Sequence, residues 1–149
     1  MNLTFRKATK EDFADINALF QEMLCTIYHK ETADGYKEGD LDYYFTGGEN
    51  WICVAEVDGK IAGFLSIETH REERDYLYYD DFSVSKDYRG MGIGKKLMEK
   101  AEEYAKSIGI PAIVLHVEQS NAGARRLYES SGFTLLRMDG DRLCLCKHL

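Results

Sequence analysis

The chain has 149 residues, and 26 Asp and Glu side chains against 19 Lys and Arg leave a formal net charge of −7. This acidic excess argues against binding to duplex nucleic acid, which normally requires a basic surface. A hydrophobic content of 44% with 30% charged residues indicates a globular chain, and its length suits one domain over residues 1–149. The charge is unevenly divided, because residues 1–85 carry a net −10 and residues 86–149 a net +3.

In chain order, the first half predicts a strand from Leu3 to Ala8 and then a helix, with a capping-box pattern at Thr9 and Asp12. The helix is marked by apolar residues at helical spacing, which are Phe13, Ile16, Leu19, Phe20, Met23, Leu24 and Ile27. Residues 29–50 are acidic and aromatic, and a short helix is expected around Leu41 to Phe45.

Three strands are predicted next. Trp51 to Val57 and Ile61 to Thr69 flank an Asp58-Gly59 turn, which is the pattern of a β-hairpin. Tyr76 to Val84 predicts the third strand of this group.

The rest of the sequence, after Val84, predicts two helices, and each is followed by one or more strands. Apolar residues from Ile93 to Ile108 mark the longest helix, and Ala112 to Val117 is a short apolar strand. A helix from Ala122 to Ser131 precedes a closing hairpin of Phe133 to Leu136 and Arg142 to Cys146. The order β-α-(α)-β-β-β-α-β-α-β-β predicts an α/β fold, a mixed sheet of about six to seven strands flanked by about four helices.

Targeting signals and cysteines favour a cytoplasmic location. Met1 to Lys10 lacks the apolar core of a signal peptide, and no apolar run approaches the roughly 20 residues of a membrane span. Cys25, Cys53, Cys144 and Cys146 form no CxxC pair and no zinc pattern with histidine, so no metal site is expected. Cys144 and Cys146 share one strand face and are expected to be reduced core residues.

Three alternate glycines, Gly90, Gly92 and Gly94, connect a strand to a helix between Val84 and Lys95. Glycines allow backbone N–H groups to turn inwards, and the helix that follows adds the positive end of its dipole. This combination is an anion site suited to phosphate or pyrophosphate. It matches neither the Walker pattern nor the Rossmann fingerprint, and a tight turn without a ligand is the alternative.

Two motifs resemble those of the GNAT acetyltransferase superfamily. Arg89-Gly90-Met91-Gly92-Ile93-Gly94 matches the signature Arg/Gln-x-x-Gly-x-Gly/Ala. The segment from Asn121 to Phe133 resembles the second motif, Asn-x-x-Ala-x-x-x-Tyr-x-x-x-Gly-Phe. The resemblance is strong from about Tyr76 to Phe133, and it implies a GNAT-type fold with acetyl-CoA as the acyl donor and no metal.

The resemblance also implies how the donor is held. Backbone N–H groups would hold the pyrophosphate, and they belong to Gly90, Met91, Gly92, Ile93, Gly94 and Lys95. The side chains of Arg89 and Lys95 would add positive charge. The pantetheine arm would pair with the exposed backbone of Phe82 and Val84 like an added strand, which requires a splay between neighbouring strands. Asn121 would hydrogen-bond the arm, although asparagine there also suits a plain helix cap.

The implied chemistry is direct attack of a neutral amine on the thioester in a ternary complex, with no cysteine nucleophile. Tyr128, at the family's tyrosine position, would protonate the departing thiolate, and a backbone N–H near Val84 would stabilise the oxyanion. A packed aromatic residue with a satisfied hydroxyl is the alternative for Tyr128.

Asp80 and Asp81 are the candidates for removing the proton of the acceptor. They resemble the Glu-Asp-Phe segment of the diamine acetyltransferase branch, in which the first acid faces the substrate. Asp80 is one methylene shorter than Glu, so a bridging water is an alternative to direct transfer. Because adjacent strand residues point to opposite faces, only one of the pair is expected to face the site, and Asp80 is favoured. Two solvated acids are the alternative.

The acceptor pocket is expected in the first half, where carboxylates would attract a cationic amine and tyrosines would stack against it. The candidates are Glu31, Asp34, Tyr36, Glu38, Asp40, Asp42, Tyr43 and Tyr44. The histidines are too scattered to predict a shared site, and they are His29, His70, His116 and His148.

Three functions stay open. The first is N-acetylation of a small cationic amine, and the second is acetylation of a protein N-terminus or lysine. The third is a non-catalytic domain that senses CoA. The expected partners are acetyl-CoA and an amine acceptor, without nucleic acid or membrane, and the resemblance favours a homodimer through the closing strands.

Overall fold

The computed structural model describes residues 1–149 as one seven-stranded sheet with helices on both faces. The strands are β1 (Leu3–Lys7), β2 (Trp51–Val57), β3 (Lys60–His70), β4 (Tyr76–Val84), β5 (Ala112–Glu118), β6 (Thr134–Asp139) and β7 (Arg142–His148). The α-helices are α1 (Phe13–Tyr28), α2 (Ile93–Ser107) and α3 (Ala122–Ser130). Short 3-10 helices span Lys10–Asp12, Asp42–Phe45 and Lys86–Tyr88. None of the helices is long and apolar enough to cross a membrane.

The mixed sheet and the order of its elements confirm the sequence prediction. Across the sheet the strands run β1-β2-β3-β4-β5-β7-β6, and only the β4–β5 pair is parallel. The helix expected around Leu41 to Phe45 is a 3-10 helix, so three α-helices flank the sheet instead of about four. The capping box forms as predicted, because the Thr9 backbone N–H donates to Asp12 Oδ2 at 2.8 Å.

The sheet separates two apolar cores. On one face, α2 and α3 cover a cluster of 21 buried residues that includes Leu65, Leu97 and Tyr128. On the other face, α1 and the segment that follows it cover a smaller cluster around Ile16, Tyr44 and Phe64. Cys144 and Cys146 are buried with free thiols, which confirms their prediction as core residues.

Two irregularities of β4 shape the centre of the molecule. Its pairing with β5 covers only Leu77–Tyr79, although β4 continues to Val84 and β5 to Glu118. Beyond Tyr79 the strands diverge, and we call the opening between residues 80–84 of β4 and 116–118 of β5 the fork. The fork is the splay that the resemblance implied, and it leaves this side of β4 without a strand partner.

The second irregularity is a β-bulge at Asp80 and Asp81. On the β3 side, Leu65 pairs with Phe82 and Ile67 pairs with Tyr79. Ser66 of β3 therefore stands opposite two residues of β4, which is the pattern of a bulge. The bulge shifts the alternation of side chains at the point where the fork opens.

Candidate active site

The glycine loop between β4 and α2 has the tight backbone that the sequence predicted. Gly90 and Gly92 adopt φ angles of 79° and 75°, in the left-handed region that glycine enters without strain. Gly94 is constrained by packing instead, because a Cβ there would lie 3.2 Å from the ring of Phe82. Met91 packs against the core and Ile93 is buried in it, so these residues offer a ligand mainly backbone groups.

The amino-terminal end of α2 carries an electrostatic conflict. Gly92 is the N-cap, so no side chain accepts a hydrogen bond from the first N–H groups of the helix. The first turn contains no acidic residue, whereas Lys95 and Lys96 are exposed within it. Positive charge at this end opposes the helix dipole, and an anion bound there would relieve the conflict. Together with the exposed Arg89, the loop fits a pyrophosphate group.

Aromatic side chains line the fork on the face covered by α2 and α3. The ring centroid of Tyr128 lies 6.3 Å from that of Phe82 and 5.9 Å from that of Phe133. Val84 packs against the same core. Tyr128 is only 9% exposed, and burial alone raises the pKa of its hydroxyl. That hydroxyl is therefore protonated at neutral pH, and no hydrogen bond within the protein competes for its proton.

Asn121 begins α3 and acts as its cap in the free protein. Its Oδ1 accepts a hydrogen bond from the Ala124 backbone N–H at 3.3 Å. This is the helix cap that asparagine favours, and it uses only the acceptor atom of the side chain. The amide Nδ2 of Asn121 keeps its donors for another partner at this end of α3.

Asp80 and Asp81 both lie on the face covered by α1, which corrects the expectation that only one of them would face the site. Asp80 Oδ2 accepts a hydrogen bond from the Tyr44 hydroxyl at 3.2 Å. Asp81 Oδ2 accepts one from the Tyr36 hydroxyl. Strict alternation would separate adjacent carboxylates, but the β-bulge rotates the chain between them and brings both to one side.

The two carboxylates are held in conditions that favour the protonated form. Desolvation, followed by repulsion from Asp81 and Glu68, raises the pKa of Asp80 to about 6. Burial is also the main cause that raises the pKa of Asp81, against the opposing hydrogen bond from Tyr36. Asp80 itself remains open to solvent, so its carboxyl can exchange a proton with a molecule that enters the fork.

Tyrosines from the segment after α1 form a wall beside these carboxylates. Tyr36 is fixed by stacking on Phe20 at a centroid distance of 4.0 Å and by its backbone N–H, which donates to Asn17 Oδ1 at 2.7 Å. Tyr44 is almost fully buried, and the Tyr43 hydroxyl donates to Glu68 Oε2 at 3.1 Å. This part of the predicted acceptor pocket is therefore assembled by the structure.

The other acidic residues predicted for the acceptor pocket lie outside this cluster of tyrosines and carboxylates. One residue of the cluster, Glu68, was not predicted. Five acidic candidates form no hydrogen bond with Asp80 or Asp81. They are Glu31, Asp34, Glu38, Asp40 and Asp42. Glu68 was missed because it belongs to β3 and not to the segment after α1. No sequence signal indicated Glu68, because its place opposite Tyr78 depends on the register of β3 against β4.

The fork places different chemical groups on its two faces. The protonated hydroxyl of Tyr128 lies on the face of α2 and α3, and the carboxyl of Asp80 lies on the face of α1. A molecule threaded through the fork would meet the acceptor on one side and the donor on the other. This geometry suits a transfer in which a nucleophile enters from one face and a leaving group departs on the opposite face.

Comparisons with known proteins agree with this geometry. The model of the Acetyltransferase (GNAT) family matches residues 16–133. The chain is 34% identical over 148 residues to the 5-NmdU N-acetyltransferase of Pseudomonas phage PaMx11, covering 97% of this chain and 98% of that protein. It is 33% identical over 139 residues to an uncharacterized N-acetyltransferase of Methanocaldococcus jannaschii, covering 87% of this chain but 60% of that protein.

A solved structure extends the likeness to the whole fold. The PaiA N-acetyltransferase of Thermoplasma acidophilum, determined in complex with coenzyme A, superposes with a TM-score of 0.81 over 100% of both chains. The sequence identity is 20%, so this likeness concerns the fold.

Proposed function

Because the chain belongs to the GNAT acetyltransferase family, we propose that it transfers the acetyl group of acetyl-CoA to a small cationic amine. The observation that supports this most directly is the fork, which has an anion site at one end and opposed proton-transfer groups on its faces. The acidic wall next to Asp80 supports a cationic acceptor.

In this proposal the donor lies along the fork. The N–H groups of the glycine loop bind its pyrophosphate, while Arg89, Lys95 and Lys96 contribute charge. The unpaired edge of β4 at Phe82 and Val84 binds the amides of the pantetheine arm, and Asn121 donates from its free Nδ2. The thioester supplies an activated acetyl group, and all proton transfers are assigned to side chains of this chain.

Asp80 binds the acceptor ammonium and takes one of its protons, which frees the nitrogen lone pair for attack. Asp81 and Glu68 add negative charge, and the tyrosine wall lies beside the amine. As the C–N bond forms and the C–S bond breaks, the Tyr128 hydroxyl donates its proton to the departing sulfur. A backbone N–H near Val84 stabilises the charge on the carbonyl oxygen.

A protein acceptor is the second candidate, because the acidic wall would equally attract a lysine or a free N-terminus. The tyrosine wall beside the carboxylates, whose Tyr36 and Tyr44 hydroxyls donate to Asp81 and Asp80, supports the smaller acceptor. A CoA sensor without turnover is the third candidate, and the unengaged Tyr128 hydroxyl argues against it.

The test is a panel of acceptors assayed for release of the CoA thiol from acetyl-CoA. It contains monoamines, diamines, aminoglycosides, 5-NmdU and lysine-bearing or free-N-terminal peptides. We expect the highest kcat/KM with a small cationic amine. Turnover confined to peptides would favour the protein acceptor. Tight binding of acetyl-CoA without turnover of any acceptor would favour the sensor and contradict the proposal.

A further inference from the structure

A chain of three hydrogen-bonded side chains lies next to the fork and has no part in the function proposed above. The Tyr78 hydroxyl and His116 Nδ1 are 2.6 Å apart, and His116 Nε2 lies 2.7 Å from Asp139 Oδ2. The three residues belong to β4, β5 and β6, so the sheet brings together side chains that are distant in sequence. The sequence predicts no shared site for His116, because the histidines are scattered along the chain.

The position of this chain relates it to the candidate active site. The last pair between β4 and β5 joins Tyr79 to Leu115, so His116 is the first residue of β5 inside the fork. Tyr78 precedes Asp80 by two residues and lies opposite Glu68, on the same face of the sheet. The Tyr78 hydroxyl therefore reaches from the acceptor wall to the point where the strands separate.

The surroundings of His116 determine which of its nitrogens carries the proton. Asp139 is held as a carboxylate, since hydrogen bonds from His116 and Arg137 lower its pKa. Arg137 Nε lies 3.0 Å from Asp139 Oδ1. A carboxylate only accepts, so His116 Nε2 carries the hydrogen, and in the neutral ring Nδ1 is left to accept from the Tyr78 hydroxyl. Cys144 of β7 pairs with His116 across the sheet, with its Sγ within 4.8 Å of the His116 and Asp139 atoms. The charges of Arg142, Asp80 and Glu68 also act on the Tyr78 hydroxyl.

The chemistry of amine acetylation provides a use for this arrangement. An ammonium nitrogen carries three hydrogens and an amide nitrogen carries one, so two protons leave the nitrogen in each turnover. Asp80 accounts for one of them. Tyr128 lies on the opposite face of the sheet and donates to sulfur, so it does not receive the other from nitrogen.

We propose that Tyr78, His116 and Asp139 form a proton relay that removes the second proton of the acceptor nitrogen. As the C–N bond forms, the nitrogen gives its proton to the Tyr78 oxygen while the Tyr78 O–H proton passes to His116 Nδ1. His116 becomes an imidazolium balanced by Asp139 and later returns its proton to solvent. The relay rests on the proposed function, because it serves the same acceptor. Tyr78 is its catalytic residue, and His116 and Asp139 act through it.

The first experiment measures kcat across pH for His116→Gln, Tyr78→Phe and the double variant, with acetyl-CoA saturating. We expect each single variant to lose about 10²-fold in kcat, the range of one general-base contribution. The double variant should be no slower than either single one, because the groups act as a unit. The deficit should persist above the pKa of the amine, since the second proton leaves only after attack.

Matched variants separate this role from a structural one. His148→Gln makes the same change at an exposed histidine at the far end of β7 and should keep wild-type kcat. Asp139→Asn retains the size of the side chain but removes the balancing charge, so kcat should fall without a change in KM for acetyl-CoA. Added imidazole should restore part of the activity of His116→Ala and leave His148→Ala unchanged.

The second experiment needs no turnover and determines the tautomer of His116 by ¹⁵N NMR. We expect the hydrogen on Nε2 in the wild type, with a shift of the Nδ1 resonance in Tyr78→Phe. A hydrogen on Nδ1 of the neutral ring would overturn the relay, as would wild-type kcat in either single variant or additive losses in the double variant. Activity abolished by a chelator and restored by Zn²⁺ would also overturn it, by assigning His116, Asp139 and Cys144 to a metal.

Failure of the relay and failure of the proposed function give different results. Wild-type turnover that is unaffected by the His116 and Tyr78 variants contradicts the relay alone. Binding of acetyl-CoA by the wild type without turnover of any amine contradicts the proposed function.

Discussion

At the scale of single residues, one bulge decides the character of the acceptor side. Asp80 and Asp81 would lie on opposite faces of a regular strand, and each would then be an ordinary surface acid. The bulge opposite Ser66 turns both towards Tyr36 and Tyr44. Desolvation, followed by repulsion from Asp81, raises the pKa of Asp80 to about 6, close to the range in which a general base is useful.

Asp80→Asn tests this base. We expect kcat/KM at pH 7 to fall about 10²-fold, the size of a general-base contribution, and to recover above the pKa of the amine, which then arrives neutral. The wild-type pH profile should rise through about pH 6 with the titration of Asp80, and that limb should be absent in the variant. Asp75→Asn, a change at an exposed acid just before β4, is the control. An unchanged pH profile in Asp80→Asn would exclude Asp80 as the base.

Asp80→Asn should also change the thermal stability of the protein, in a direction that follows from the raised pKa of Asp80. The folded-state pKa of Asp80 lies above its ordinary value of 3.8, so ionisation of Asp80 costs the folded state free energy. Wild-type stability from this group is highest below pH 3.8 and falls as the pH rises to about 6. We therefore expect the Tm of Asp80→Asn to be higher than that of the wild type at pH 8. Near pH 3.5 the two Tm values should be equal. Calorimetry at the two pH values measures the difference.

Tyr128→Phe tests the proton donor on the other face. We expect kcat to fall about 10- to 100-fold, while Kd for acetyl-CoA and Tm stay near wild type, because the hydroxyl has no partner within the protein. Tyr104→Phe is the contrasting variant. The Tyr104 hydroxyl donates to the Glu49 carbonyl at 2.8 Å, away from the fork, so its loss should lower Tm and leave kcat intact. Wild-type kcat in Tyr128→Phe would remove the residue from the mechanism.

At the scale of elements, the two ends of α2 differ in how well they suit the helix dipole. Its amphipathic face packs Leu97, Met98 and Ala101 into the larger core, which fixes the helix on the sheet. Its first turn nevertheless presents Lys95 and Lys96 where the dipole favours acids. A helix designed for stability alone would carry the opposite charge there, so the lysines are best explained by an anionic ligand.

The double variant Lys95→Glu/Lys96→Glu should separate the two properties. Each change should stabilise the free protein by about 0.3–1 kcal/mol through the dipole, while Kd for acetyl-CoA should rise by at least about tenfold through lost attraction and new repulsion. Lys106→Glu makes the same kind of change in the last turn of α2. It should slightly destabilise the protein and leave Kd unchanged. Equal Kd values for acetyl-CoA in the double variant and the wild type would contradict binding of the pyrophosphate at this end of α2.

At the scale of the whole molecule, the charge division has a structural counterpart. The basic second half contributes the loop and the start of α2, and the acidic first half contributes the tyrosine wall and the carboxylates of β3 and β4. The fork lies between the two groups, so an anionic donor and a cationic acceptor would approach it from regions of opposite charge.

The surface also supports a homodimer through β6, the edge strand of the sheet. Leu135, Leu136 and Met138 are 57%, 55% and 46% exposed, which is unusual for apolar side chains so close together. We expect sedimentation equilibrium to give twice the chain mass of 17.1 kDa, and Leu135→Glu/Met138→Glu to reduce it to one chain without loss of Tm. A monomeric wild type at micromolar concentration would contradict the dimer.

The sequence alone determined much of this protein. Hydrophobic periodicity predicted the elements, because each strand and helix must bury an apolar face of its own period. The glycine loop was predictable from a local pattern, three alternate glycines between a strand and a helix. Tyr128 was singled out by the resemblance of its segment to the second family motif.

Only the tertiary structure decided which side chains meet. The bulge that aligns Asp80 with Asp81 depends on the register of β4 against β3, and no local pattern in the sequence specifies it. Glu68 meets Tyr43, which lies 25 residues earlier in the chain. His116 meets Tyr78 because β4 and β5, which α2 separates in the sequence, pair within the sheet. A one-residue shift in strand pairing moves a side chain to the opposite face, so the composition of the acceptor side follows from the register.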